Sequence, residues 1–129
     1  MTALPPRSTG PLGVAEYVRY QGASGDLNPI HHDAAAAQAA GFDGVFCPGM
    51  LSAGLLGSYL AEVLGPGGVR AIAFRFREMV WPGEELCCAA TVTGEQVVDG
   101  RRVLELEIAA TLADGRAAVE GTATWAVDP

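Results

Sequence analysis

The stretch that most constrains the fold is "PGMLSAGLLGSYLAEVLGPGG", residues 48–68. Pro48 suits the first turn of a helix and the Gly-Pro-Gly-Gly run ends it. Between them only Ser52, Ser58, Tyr59 and Glu62 are polar. Apolar surface therefore wraps almost the whole way round, which predicts a helix in a core. The run falls short of the ~18 apolar residues that span a membrane. Gly54 and Gly57 each cost about 1 kcal/mol relative to alanine inside a helix. That cost suits a neighbour coming very close, and close helix-to-sheet packing is the expected one.

From residue 69 the period changes to two. In "VRAIAFRFREMV" Ile72, Phe74, Phe76 and Val80 share a face. In "RRVLELEIAATL" Leu104, Leu106, Ile108 and Leu112 alternate with Val103, Glu105 and Glu107. In "AAVEGTATWAV" Val119, Ala123, Trp125 and Val127 alternate with Glu120, Thr122 and Thr124. Residues 84–96 supply a further strand, and "WPGE", "VDGR" and "ADGR" carry turn chemistry. At least four half-buried antiparallel strands thus follow one long buried helix.

The amino-terminal half reads as short helices. Ser8 or Thr9 is expected to cap a helix running to about Tyr20, with Pro11 in its first turn. Asp33 is a good N-cap for a helix over 34–40, stopped by Gly41, so "NPIHH" is held between two helices. Helices before strands indicate an α+β class in which the sheet covers the long helix. The length of 129 residues suits a single domain over 1–129. Half of the residues are hydrophobic and 18% charged, so apolar surface is left to bury against a second subunit, and a homodimer is expected.

A net charge of −7 argues against binding nucleic acid. All eight basic residues are arginine, which removes Schiff-base chemistry and the P-loop lysine. Cys47, Cys87 and Cys88 leave an odd thiol without C-x-x-C spacing. They are expected to be reduced and buried in a cytoplasmic protein, with Cys87 and Cys88 on opposite faces of a strand. The first ten residues, "MTALPPRSTG", have no apolar signal core, so a soluble, unexported chain is expected.

The chemistry concentrates in "GDLNPIHHD", residues 25–33. Asp26 and His31 lie five residues apart around Pro29, which fixes its own φ and keeps Asn28 out of the helical region. An acid and an imidazole held across a small gap are what acid–base catalysis requires, each worth roughly 100- to 10,000-fold when well placed. The plainer alternative is an Asx turn at Asp26 or Asn28 with histidines that cap carbonyls or face solvent. A metal site at His31, His32 and Asp33 is disfavoured because adjacent loop residues seldom converge on one ion. Cys47 precedes a helix N-terminus that would lower its pKa, with His31 or His32 as base, although inert burial is commoner for cysteine. At Gly49 the same N-terminus offers unpaired N–H groups that a ligand can approach, able to stabilise an oxyanion by about 3 to 4 kcal/mol. A plain helix start explains those residues too.

Gly25-Asp26-Leu27-Asn28-Pro29-Ile30-His31 with Asp33 resembles the G-D-x-N-P-(apolar)-H-x-D signature of MaoC-like hydratases, the (R)-specific enoyl-CoA hydratases. "FCPGMLSAGLLGSYL", "FRFREMVWPGEEL" and "ADGRAAVEGTATWAV" are similar to the family's central helix, its strand with a Pro-Gly turn and its closing hairpin, so the likeness runs from about Tyr17 to Val127. Pro48 stands where many relatives have histidine and others proline. The resemblance implies a hot-dog fold, a long central helix wrapped by an antiparallel sheet. It also implies a hydro-lyase that adds water syn to a trans-2-enoyl thioester of CoA or acyl carrier protein to give the (3R)-3-hydroxyacyl thioester, or the reverse, with no metal or cofactor. By position Asp26 would be the base for water, and His31 would orient that water and deliver a proton to C2. The Gly49 N–H would hold the thioester oxygen, and Asn28 would position the loop. His32 falls where the signature is open and has no implied role. Arg70, Arg75, Arg77, Arg101 and Arg102 are candidates for the carrier's phosphates, with surface solvation the default for each. A hot-dog thioesterase is the second enzyme reading. A structural or binding subunit of a hetero-oligomeric hot-dog dehydratase is the reading from another class.

Overall fold

The computed structural model of the chain describes residues 1–127. Its elements are β1 (Thr2–Ala3), β2 (Arg7–Pro11), α1 (Val14–Ser24), a 3-10 turn (Pro29–His31), α2 (Ala34–Ala39), α3 (Gly49–Leu64), β3 (Val69–Phe76), β4 (Glu85–Val98), β5 (Arg101–Thr111) and β6 (Ala117–Val127). Six strands form one antiparallel sheet in the order β1-β4-β5-β6-β3, with β2 also paired to β4.

The carboxyl-terminal strands follow the alternation of their residues. Asp99 and Gly100 both take positive φ, 51° and 77°, as a tight hairpin between β4 and β5 demands. The register then sets Cys88 opposite Ala110, Ala90 opposite Ile108, and Leu106 opposite both Val92 and Ala123. One face of β4, β5 and β6 becomes the core, and α3 lies on it. Leu56 and Leu60 of α3 are wholly buried there. Each contributes about 1.5 to 3 kcal/mol by leaving water. The far end of α3 is pinned to the last strand: Trp125 Nε1–H donates to the Gly65 carbonyl at 2.8 Å and the Ala126 N–H to the Gly68 carbonyl at 2.7 Å.

Three expectations need correction. Residues 7–11 are strand and no helix is capped by Ser8 or Thr9. Gly10 takes φ 72°, which ends any helix there, and the Thr9 hydroxyl instead accepts the Leu86 N–H of β4 at 3.1 Å. Helix α1 starts later, at Gly13, whose N–H is taken by the Glu16 carboxylate at 2.9 Å, and it runs on to Ser24. Hydrogen bonds from its own backbone N–H and then from the Gly13 N–H pull the Glu16 pKa below its ordinary value.

Secondly, α3 buries one face only, through Ser52, Ala53, Leu56, Tyr59 and Leu60, while Met50, Gly54, Ser58 and Glu62 are exposed. Gly54 and Gly57 do not serve close packing on the sheet, because a Cβ at either meets nothing within 4 Å. Leu51, Leu55, Val63 and Leu64 flank the buried face, only half-buried against the rim of the core. Thirdly, Cys87 is exposed, although Cys47 and Cys88 are buried and all three are free thiols. The opposite facing of Cys87 and Cys88 is as expected of neighbours in a strand. Helix α2 stands one residue shorter than the sequence suggests, and Asp33 caps it as expected, accepting from Ala35 and Ala36.

Candidate active site

The loop between α1 and α2 is built from short-range side-chain bonds. Gly25 ends α1 with φ 79°, its N–H on the Gln21 carbonyl at 2.9 Å. Asp26 Oδ1 accepts the Asn28 N–H at 3.3 Å, and Asn28 Oδ1 accepts the Ile30 N–H at 3.2 Å. These are two Asx turns in succession, and Pro29 opens the 3-10 turn that follows. That turn delivers His31 inward, to 7% exposure, while Asp26 stays exposed.

His31 is anchored across the molecule. Its Nδ1 lies 2.8 Å from the Phe46 carbonyl, and the Phe46 ring stands edge-on to the imidazole at 4.8 Å. A carbonyl only accepts, so Nδ1 carries the proton and Nε2 is left free. Phe46 is held in turn by Phe42 and Trp81, with ring centroids 4.6 and 6.2 Å away. The next residue, Cys47, bonds through its N–H to the Val80 carbonyl at 2.9 Å. Two residues further on, Gly49 begins α3.

Among the described residues no side chain caps that helix start, and while the Leu51 and Ser52 N–H groups reach the Pro48 carbonyl, the Gly49 and Met50 N–H groups have no helical acceptor. Gly49 borders a cavity of about 220 Å³ walled also by Phe46, Cys47, Ser52, Phe76 and Val80. A Cβ on Gly49 would come within 3.2 Å of the Phe76 ring. The structure therefore brings His31 and Gly49 to the two ends of one short segment. Of the predicted site residues only Gly49 is on the wall of this cavity; Asp26, Asn28 and His31 are not, and among the described residues Asp26 has no hydrogen bond or ion pair to His31.

Cys47 is unsuited to nucleophilic work. Burial pushes its thiol up to about 11, against a smaller lowering by Ser52, whose hydroxyl is 3.6 Å from the sulfur. The thiolate is scarce at neutral pH. Of the candidate arginines, Arg77 pairs with Glu120 at 2.7 Å and Arg102 with Glu95, on the exposed surface.

Two residues emerge that sequence reasoning passed over. Gln21, 2% exposed, donates from Nε2 to the Asn28 carbonyl at 2.8 Å. Its Oε1 faces His32 Nδ1 at 2.8 Å, so His32 is tied to the loop's support. The available signal was spacing: Gln21 follows the buried Tyr17 by one turn on the inward face of α1. Phe46 contributes a backbone carbonyl, for which sequence carries no signal.

A long helix laid on an antiparallel sheet of six strands, with this loop beside the helix start, defines a hot-dog domain. The chain belongs to the MaoC like domain family, whose match covers residues 3–113. A tomato (Solanum lycopersicum) relative, the mitochondrial 3-hydroxyacyl-[acyl-carrier-protein] dehydratase FERN, is 29% identical over 100 residues, 77% of this chain. The match spans 60% of the tomato protein's length. Among solved structures, the unliganded R-hydratase PhaJ1 of Pseudomonas aeruginosa has a TM-score of 0.86 at 25% identity, covering 100% of this chain and 83% of its own. The (R)-hydratase of A. caviae involved in PHA biosynthesis has a TM-score of 0.82 at 28% identity, covering 97% and 93%.

Proposed function

We propose that this chain is a hydro-lyase that adds water to trans-2-enoyl thioesters of CoA or acyl carrier protein to give (3R)-3-hydroxyacyl thioesters, or runs the reverse dehydration. The observation that carries the reading is the His31 Nδ1 bond to the Phe46 carbonyl, which anchors the imidazole to the residue three before the uncapped start of α3 and leaves Nε2 for chemistry. The names of the relatives, two (R)-hydratases and a 3-hydroxyacyl dehydratase, support the same chemistry.

In this proposal the thioester oxygen lies against the Gly49 N–H, where the helix dipole favours developing enolate charge. Asp26 takes a proton from water as its oxygen attacks C3. In the hydration direction His31 begins protonated at Nε2, donates a hydrogen bond to the same water and gives that proton to C2, which leaves the ring neutral. The Nδ1–H bond to Phe46 is common to both states, so the ring keeps its place while the proton moves. A final proton transfer from Asp26 to His31 resets the site. Asn28 serves by holding the turn between them.

A homodimer and a cytoplasmic location belong to the same proposal. The dimer is supported by β3, which ends the sheet, and by the exposed Met50 and Phe76 beside it, 54% and 52% accessible. Light scattering on the purified protein should give twice the chain mass; a monomer that gains activity only with a second hot-dog chain would replace the homodimer.

The direct test is loss of enoyl absorbance from crotonyl-CoA, with an (R)-specific 3-hydroxyacyl-CoA dehydrogenase reporting product configuration. Asp26→Asn and His31→Ala should each lower kcat by about 100- to 10,000-fold in folded protein. Wild-type activity in either variant, or release of free thiol from saturated acyl-CoA in place of hydration, would overturn the proposal.

A further inference from the structure

We propose that Gln21 and His32 are positioning residues, a two-part clamp that holds the Asp26–His31 loop in its working shape. This deepens the hydratase reading and rests on it for its kinetic arm.

The hub of the loop is the backbone of Asn28. Its N–H is bonded to the Asp26 carboxylate at 3.3 Å, and its carbonyl accepts the His31 N–H, also at 3.3 Å. Both candidate catalytic residues are thus referred to one residue's peptide groups, and both bonds are long. The Gln21 Nε2–H bond to the same carbonyl, at 2.8 Å, is the short one. Gln21 is buried and stands one turn beyond the wholly buried Tyr17, so the bond ties the hub to a fixed part of α1.

The clamp has one consistent wiring. The Asn28 carbonyl can only accept, so the Gln21 carboxamide must turn its NH₂ toward it. Oε1 then faces His32, whose Nδ1 must carry the proton across the 2.8 Å contact. His32 thereby holds the carboxamide in the orientation that grips the loop, and it acts on catalysis only through Gln21. Buried support of this kind fixes the geometry of a site to a fraction of an ångström, and a misplacement of about 1 Å costs about 100-fold in rate.

The test uses Gln21→Leu, His32→Leu, His32→Asn and the double variant Q21L/H32L in the full chain. Expected for Q21L is a kcat about 10- to 100-fold lower with KM within about twofold, since the loop is loosened while binding surface remains. H32L should lose about threefold to tenfold, and H32N, whose amide places a donor near the Nδ1 position, should recover to within about twofold of wild type. The double variant should lose no more than Q21L, because the two residues form one unit. Hydrogen exchange over residues 22–33 should quicken about fivefold or more in Q21L and H32L and return in H32N. His32 is exposed, so H32L carries the test even if Q21L does not fold. Losses that multiply in the double variant, a full-rate H32L, or no rescue by H32N would overturn the clamp. If wild-type protein hydrates no enoyl thioester, the hydratase reading fails, while the exchange measurements still decide the clamp.

Discussion

Replacing Gly49 by alanine separates the stability of this fold from its chemistry. The new Cβ would stand 3.2 and 3.3 Å from Cε1 and Cδ1 of Phe76, a few tenths of an ångström too close. Phe76 is half exposed at the end of an edge strand, so the ring can move aside. Turning it costs about 0.5 to 1.5 kcal/mol if it leaves its rotamer. Alanine returns up to about 1 kcal/mol over glycine in a helix, less in the first turn. The two nearly cancel, so the net change lies within about 1 kcal/mol and the melting midpoint should move by no more than about 5 °C. Activity should not be spared. The methyl group crowds the N–H that is to meet the thioester oxygen, and loss of such a donor lowers kcat by about 100- to 1,000-fold. Thermal unfolding followed by circular dichroism and crotonyl-CoA hydration on the same preparation read both quantities. A folded G49A protein with wild-type kcat/KM would refute the role given to Gly49. A loss of about 3 kcal/mol or more would show that Phe76 cannot yield.

Other residues give independent checks. Gly121→Ala should be severe, because its Cβ would fall 1.8 Å from the Ala73 backbone oxygen, which cannot yield without opening the β3–β6 ladder; a denaturation midpoint within error of wild type would contradict this register. At pH 8 iodoacetamide should modify Cys87 alone in folded protein and all three cysteines in urea, counted by mass spectrometry. Burial raises Cys47 and Cys88 to about 11 in the fold, above the ~8.5 of an unfolded thiol. Their contribution to stability is therefore complete below about pH 8.5 and lost as pH rises through about 11, so the melting midpoint should fall across that window, and less steeply in the Cys47→Ala, Cys88→Ala double variant. Tyr17→Phe should leave stability unchanged or raise it by up to about 1 kcal/mol, since among the described residues the buried hydroxyl has no partner to lose; a clear drop in the urea midpoint would mean that it has one.

The parts of the fold legible in the sequence are those whose cause is local. The alternation in β5 and β6 and the Asp99-Gly100 turn fix register over neighbouring residues, and sheet order follows from it. Asp33 could be read as a cap because its acceptors are filled by N–H groups two and three residues on. Arg7–Pro11 could not, because what makes it a strand is β4, and the Thr9 bond to Leu86 closes a separation of 77 residues. For α3 the composition led to an expectation of burial almost all round, which the fold does not meet. The chain supplies a sheet for one side only, so the glycines expected to face that sheet stand open.

The same division runs through the candidate site. A turn made by Asp26 and Asn28 and a histidine bonded to a carbonyl are the plain alternative to acid–base chemistry, and both features are present. They do not compete with it. Asp26 gives only Oδ1 to the turn, leaving Oδ2 for a proton, and His31 gives only Nδ1 to Phe46, leaving Nε2. Each structural bond holds a side chain by one atom and leaves the other free, which is the pre-organisation that proton transfer needs. What spacing could not supply was the far end of the His31 constraint, the Phe46 carbonyl, because a backbone acceptor 15 residues away is brought to the ring by tertiary packing. The turn reading and the acid–base reading therefore make different predictions only for variants that keep one atom and lose the other. Asp26→Asn is such a variant: its Oδ1 can still accept from the Asn28 N–H while the proton acceptor is gone. Unchanged hydrogen exchange over the loop together with lost turnover would assign the carboxylate to chemistry; quickened exchange with turnover retained would assign it to the turn alone.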